Sequence, residues 1–230
     1  MSDDGVWVHL YAKGQARLTS PSGQPIKLDV ETSYPWDGEI NIGVQSEGEW
    51  SLFLRLPGWC EAGATLEVNG NCESKVLLPA SYIELTREWK NGDIVRLHLP
   101  MLPRRIECHP FVAENKECVA IARGPLLYCL EAADHPGVDL HEVTLPPGAQ
   151  LVAEYSGDVL QGVTTLTVDG FFTTTDADWK GRLYRTVKSN HCNPDVSSLP
   201  TVTPLTFIPY YAWANRDAGQ MRVWVRESVS

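Results

Sequence analysis

The sequence predicts an all-β protein of antiparallel sandwich type, and three observations carry that prediction. Apolar and polar residues alternate at period two along most of the 230 residues. Turn-forming pairs that contain glycine fall between the alternating runs. Apolar residues recur at helical spacing nowhere over a useful length.

The run at 6–11 sets Val6, Val8 and Leu10 on one face and Trp7, His9 and Tyr11 on the other. Ile26, Leu28 and Val30 alternate with Lys27 and Asp29. Trp50, Leu52, Leu54 and Leu56 alternate with Ser51 and Arg55, and the run stops at the turn pair Pro57-Gly58. Further runs cover 66–69, 82–86, 94–99, 118–123, 126–131, 163–169, 205–210 and 221–226. Turns are expected at Ser22-Gly23, Asp37-Gly38, Asn69-Gly70, Asn91-Gly92, Pro147-Gly148 and Asp169-Gly170. Between Pro100 and Pro110 the alternation breaks at the basic stretch Pro103-Arg104-Arg105, which predicts a domain boundary. Long surface loops are expected over 134–150 and 188–204.

Composition narrows the partners. With 19 Lys and Arg against 29 Asp and Glu, the net charge of −10 opposes polyanions, so neither nucleic acid nor an anionic membrane is an expected partner. No apolar run approaches the roughly 20 residues that span a bilayer. The start Met1-Ser2-Asp3-Asp4 lacks the basic and apolar parts of a signal peptide, and the expected compartment is cytoplasmic. Strand-like residues begin at Val6, as though a longer protein had been cut at a domain edge. The six cysteines, at 60, 72, 108, 118, 129 and 192, are irregularly spaced in a chain too long to need stapling. Reduced, mostly buried thiols are expected, with one or more disulfides as the alternative. Cys108-His109 and His191-Cys192 are adjacent pairs whose side chains leave a strand on opposite faces, which argues against chelation of one zinc ion.

No phosphate-binding loop, dinucleotide fingerprint, nucleophile elbow, zinc-protease or calcium-loop motif is present. Asp176 with Asp178, and Glu154 with Asp158, are carboxylates close in sequence. Glycosidase chemistry requires two such groups about 5–9 Å apart across a cleft, and these are read as ordinary solvated side chains. Aromatic residues are the stronger signal. Of the eight tryptophans, Trp36, Trp59, Trp89 and Trp213 fall at or near turns. Such rings cover sandwich edges and interdomain seams, or stack on sugars. Around 209–217 the rings Tyr210, Tyr211 and Trp213 are followed by Asn215, Arg216 and Asp217, the residue types of interface anchors. Arg216 either forks onto a carboxylate or backbone carbonyls across such a seam or pairs with Asp217 or another local acid on the surface. The candidate contact residues are Trp36, Asp37, Trp59, Tyr210, Tyr211, Trp213, Asn215 and Arg216.

Six segments then occur in a telling order: Val8-His9-Leu10-Tyr11, Thr32-Ser33-Tyr34-Pro35-Trp36-Asp37-Gly38, Leu54-Arg55-Leu56-Pro57-Gly58-Trp59, Trp89-Lys90-Asn91-Gly92-Asp93, Ala122-Arg123-Gly124-Pro125-Leu126 and Pro209-Tyr210-Tyr211-Ala212-Trp213-Ala214-Asn215-Arg216. Together they resemble the C-terminal half of glycoside hydrolase family 127, the β-L-arabinofuranosidase family. The resemblance implies a parent with an N-terminal (α/α)6 barrel followed by two antiparallel, jelly-roll-like β-sandwich domains. It places the cysteine nucleophile, the acid/base glutamate and the zinc ligands in that barrel, so no catalytic, cofactor or metal residue is carried onto this chain. It also implies that residues 15–105 form one sandwich inserted into a second, made of 1–14 and 106–230. The expected role is a non-catalytic region that packs against and stabilises its own N-terminal catalytic domain. The alternatives are a module that binds plant glycan and one that forms a homodimer.

Overall fold

A computed structural model describes residues 5–20, 23–74, 77–173, 183–184, 186 and 200–227. The chain divides into two compact units, 1–102 and 103–230. Among the described residues every regular element is a strand or a short 3-10 turn.

Among its described residues the first unit holds nine strands: β1 (Val6–Val8), β2 (Gly14–Thr19), β3 (Pro25–Thr32), β4 (Glu39–Gln45), β5 (Gly48–Leu56), β6 (Thr65–Val68), β7 (Asn71–Cys72), β8 (Ser81–Trp89) and β9 (Asp93–His98). They form a three-stranded sheet, β1-β5-β8, and a six-stranded sheet, β2-β3-β4-β9-β6-β7. The alternation explains the sandwich. Ile26, Leu28, Ile40, Ile42, Val44, Val95 and Leu97 from the larger sheet share one core with Leu52, Leu54, Leu56, Ile83 and Leu85 from the smaller. Trp89 belongs to this core rather than to a turn surface. It is 1% exposed, stacks on Trp50 at 5.0 Å, and donates its indole N–H to the Trp50 carbonyl at 2.9 Å. The turn Asp37-Gly38 links β3 to β4 as expected. A Cβ on Gly38 would lie 1.8 Å from the Leu99 carbonyl oxygen, so only glycine permits this approach.

A four-residue clasp ties the β6–β7 hairpin turn to the turn that joins β8 to β9. Asn69 donates its side-chain N–H to Asp93 at 2.9 Å and accepts the Ile94 amide, while Asp93 also accepts the Lys90 amide. Burial works to raise the Asp93 pKa, but these hydrogen bonds and the Arg87 and Lys90 charges outweigh it and hold the carboxyl below its ordinary value.

The second unit holds β10 (Pro103–Glu107), β11 (Cys118–Arg123), β12 (Leu126–Glu131), β13 (Val143–Leu145), β14 (Val152–Ser156), β15 (Val163–Phe172), β16 (Thr201–Pro209), β17 (Met221–Arg222) and β18 (Trp224–Glu227). Pairing runs β11-β18-β13-β15-β16-β12 and returns to β11, closing a ring around Ile121, Tyr128, Leu130, Leu145, Leu166, Leu205 and Phe207. β10 flanks β11, β14 pairs with β15, and β17 pairs with β12.

Several expectations need correction. The first strand does not cross into the second sandwich: β1 pairs in parallel with β5, matching Val6 to Leu52 and Val8 to Leu54, and Val6 and Tyr11 sit in the first core. The units are therefore contiguous along the chain. The basic stretch at the boundary is itself β10. Arg105 donates to the Pro146 and Ala149 carbonyls at 3.1 and 2.7 Å and pairs with Glu227, so its charge fastens a loop. That loop, expected to lie on the surface over 134–150, contains β13 and the buried Leu140, Val143 and Leu145. Asp169-Gly170 is no turn. Gly170 lies inside β15, where a Cβ would come within 2.3 Å of a Leu205 methyl carbon. Of the second expected loop, residues 201–204 belong to β16, and 188–199 lie outside the described residues. The five described cysteines are free thiols, but only Cys60 and Cys129 are buried. Cys192 and the pair Asp176 and Asp178 lie outside the described residues.

Candidate functional site

The eight candidate residues fall into two groups, one in each unit. In the first unit, the β3–β4 turn is held by its own polar groups. Thr32 Oγ accepts the Tyr34 amide at 3.0 Å, and Asp37 accepts the Glu39 amide at 3.0 Å. Asp37 thereby serves the turn. Trp36 stands 57% exposed. Trp59, on the β5–β6 turn, is half-buried and stacks on Tyr34 at 6.5 Å, and Tyr34 meets Tyr11 edge-on at 5.9 Å. The Tyr11 hydroxyl donates to the Arg55 carbonyl at 2.6 Å. Trp59 is thus part of the sandwich edge, and Trp36 is the outward ring.

In the second unit, β16 ends at Pro209 and the chain enters a 3-10 turn, Tyr210–Ala212, closed by the Trp213 amide on the Tyr210 carbonyl at 3.1 Å. Ala212 is buried, which leaves Tyr210, Tyr211 and Trp213 on the outer side at 41%, 51% and 39% exposure. Tyr210 and Trp213 stack at 5.9 Å with 21° between their planes. Asn215 donates to the Ala212 carbonyl at 2.9 Å and to the Trp213 carbonyl at 3.3 Å, so its role is to close the turn.

Arg216 anchors the segment from below. Its guanidinium donates to Glu131 at the end of β12, through Nε at 2.8 Å and through Nη2, and forks onto both Asp134 oxygens at 2.6 Å. Glu131 also accepts the Ala214 amide at 3.3 Å. Asp134's hydrogen bonds are the main influence on Arg216; burial opposes them, Glu131 reinforces them, and the net result pushes the Arg216 pKa further up. Of the readings offered for Arg216, its partners in this structure are acids of its own unit, Glu131 and Asp134, and not its neighbour Asp217. Sequence reasoning missed Glu131, Asp134 and His135. His135 is buried: its Nε2 accepts the Thr206 amide at 3.0 Å, which leaves Nδ1 to donate to the Glu131 carbonyl at 2.7 Å. No local signal marks these residues, because Arg216 meets its carboxylates across separations of 85 and 82 residues.

This arrangement holds a turn and does not build a reaction centre. Glu131 and Asp134 are both engaged by one guanidinium. Cys129 is fully buried, and burial followed by the Glu131 charge pushes its thiol up to about 12, far from a nucleophile. Glu154 and Asp158 are both exposed. A cleft of about 240 Å³ beside Cys60, Gly63 and Leu77, and one of about 420 Å³ beside Arg17, Gln45 and Asn91, include none of the eight candidates. Among the described residues no three His, Cys, Asp or Glu side chains converge where a metal could sit. No helix among them is long and apolar enough to cross a membrane.

Comparison with known proteins places this geometry. Residues 5–101 match the family description "Beta-L-arabinofuranosidase, GH127 middle domain", and residues 103–226 match "Glycoside hydrolase family 127 C-terminal domain". A non-reducing end β-L-arabinofuranosidase of Bifidobacterium longum subsp. longum is 29% identical over 216 residues, which is 90% of this chain and 31% of that protein. A crystal structure of a GH127 β-L-arabinofuranosidase from Geobacillus stearothermophilus T6 superposes with a TM-score of 0.85 at 37% identity, over 99% of this chain and 34% of that one. A second solved GH127 β-arabinofuranosidase gives 0.82 at 30% identity, over 98% of this chain and 35% of its own. The chain thus spans about a third of the length of these relatives. With two β units that divide between Leu102 and Pro103, where the two matches meet, the chain belongs to glycoside hydrolase family 127 and comprises its middle and C-terminal domains.

Proposed function

We propose that this chain is the non-catalytic part of a β-L-arabinofuranosidase, packing against and stabilising the (α/α)6 barrel that carries the chemistry. The observation behind this reading is that the matched relatives are about three times as long, while this chain accounts for only their two β domains. The turn at 210–213 supplies a docking element: three large rings face outward from a backbone that Arg216, Glu131 and Asn215 hold in one conformation. Rigid, half-exposed aromatics of this kind lose little entropy on burial and are common interface anchors. The substrate and the zinc chemistry of the parent lie with the barrel.

The test uses the full-length protein. Trp213→Ala and Tyr210→Ala should lower its melting temperature and its activity together while leaving its zinc content unchanged, and should leave the melting of the isolated chain within about 2 °C. A second reading, glycan binding, draws on the exposure of Trp36. If both variants leave the full-length protein unchanged and Trp36→Ala weakens binding of the isolated chain to arabinan, that reading replaces the first.

A further inference from the structure

We propose that Cys108 and Cys118 are a redox pair that closes into a disulfide across the mouth of the β10–β11 hairpin. The ladder matches Arg105 to Ile121, Ile106 to Ala120 and Glu107 to Val119. β10 ends at Glu107, and carrying its register one position further opposes Cys108 to Cys118, the first residue of β11. Residues directly opposite in an antiparallel pair project to the same face, with Cα atoms about 4.5–5.5 Å apart, inside the span of about 4.4–6.8 Å that a disulfide bridges. Both cysteines are half-buried free thiols, so an oxidant in solution reaches them. The Cys108 thiol points into the mouth of the hairpin: it lies 3.5 Å from the Asn115 carbonyl and 4.0 Å from that of Val112. On the other side the chain is tied down, since Glu227 donates its amide to the Glu117 carbonyl at 2.9 Å.

The other described thiols do not compete. Cys60 and Cys129 are buried, and Cys72 faces Glu67 on its ladder. Glutathione disulfide is a sufficient oxidant. One protein thiolate attacks it and expels one glutathione thiolate; the second protein thiolate attacks the mixed disulfide and expels the other. Two protein thiols are oxidised, one glutathione disulfide is reduced to two glutathiones, and two protons are conserved in the products. The bond pins the loop 109–117, whose tip carries Phe111 at 91% exposure. An excess of glutathione or dithiothreitol reopens the bond by the same exchange run backwards.

The 230-residue chain is incubated in buffers of rising glutathione disulfide to glutathione ratio, then alkylated and digested. The expected product is a peptide pair linked through Cys108 and Cys118, with a loss of about 2 Da from the intact mass, an unchanged β circular dichroism spectrum, and full reversal by dithiothreitol. In Cys108→Ser the linkage is absent and Cys118 carries one glutathione. The proposal is overturned if, with the β spectrum intact, the two cysteines of the unaltered chain stay free, each carry their own glutathione, or bond to other partners. It is equally overturned if the link forms only after the β spectrum is lost.

Discussion

Arg216→Ala removes the shared cation from two carboxylates, one of them buried. The side chains of Glu131, Asp134 and Arg216 are 3%, 15% and 22% exposed. Breaking a fully buried pair by deleting one partner costs about 3–5 kcal/mol, because an uncompensated charge is left behind. Water reaches Asp134 and the edge of the guanidinium, which sets the expectation at the lower end, about 3 kcal/mol. For a unit of this size that corresponds to a fall of about 12 °C in melting temperature. Arg216→Lys keeps the charge but cannot reproduce four hydrogen bonds from a planar fork, and about half the loss is expected. Thermal unfolding of the isolated chain, followed by near-ultraviolet circular dichroism of its aromatic rings, reads the effect on the second unit. A double-mutant cycle with Glu131→Gln should show strong coupling, since both changes break one network. A shift under about 2 °C for Arg216→Ala would refute the claim that this cluster sets the aromatic turn.

Two further perturbations concern the first unit. The folded Asp93 carboxyl titrates below the ordinary aspartate value of 3.8, so its contribution is fully present above that value and is lost as pH falls through the folded pKa. Asp93→Asn should therefore destabilise the first unit at pH 7, and the gap from the unaltered chain should narrow steadily below about pH 4; a gap independent of pH in urea unfolding would exclude the carboxylate's role. Gly38→Ala forces a methyl onto the Leu99 carbonyl at 1.8 Å and should cost at least about 2 kcal/mol in the same assay, whereas Gly70→Ala, with nothing within 4 Å of its added Cβ, should cost less despite its positive φ of 77°.

Much of the fold was legible because the sandwich cores obey period two. β3, β5, β8 and β9 lie on alternating runs with one face toward a core and the other largely toward water, whereas β11 and β12 stand out by their apolar content and are buried on both faces. β4 also went unread, although Ile40, Ile42 and Val44 alternate there between core and surface positions; the other missed strands named here lack that contrast. β2 and β14 are mostly exposed, and β10 is built on two arginines that fasten carbonyls. The Asp134 to Gln150 segment reads as loop because its prolines and glycines outweigh three buried aliphatics. Asp169-Gly170 carries turn chemistry, yet Gly170 is there for a close approach to Leu205. At the candidate site the rings could be read from composition, but the partners of Arg216 could not. Tertiary pairing of β12 with β17, matching Glu131 to Met221, is what brings Glu131 near residue 216.

The central claim is that this chain supports a catalytic domain it does not contain. The most direct measurement compares the full-length protein with one truncated before residue 5, where the middle-domain match begins, scoring β-L-arabinofuranoside hydrolysis and melting temperature side by side. The account predicts that truncation lowers the melting temperature of the catalytic domain by several degrees or more and removes most of its activity, while the 230-residue chain alone hydrolyses nothing above the buffer rate. A truncated protein as stable and active as the full-length one, or turnover by the chain alone, would contradict it.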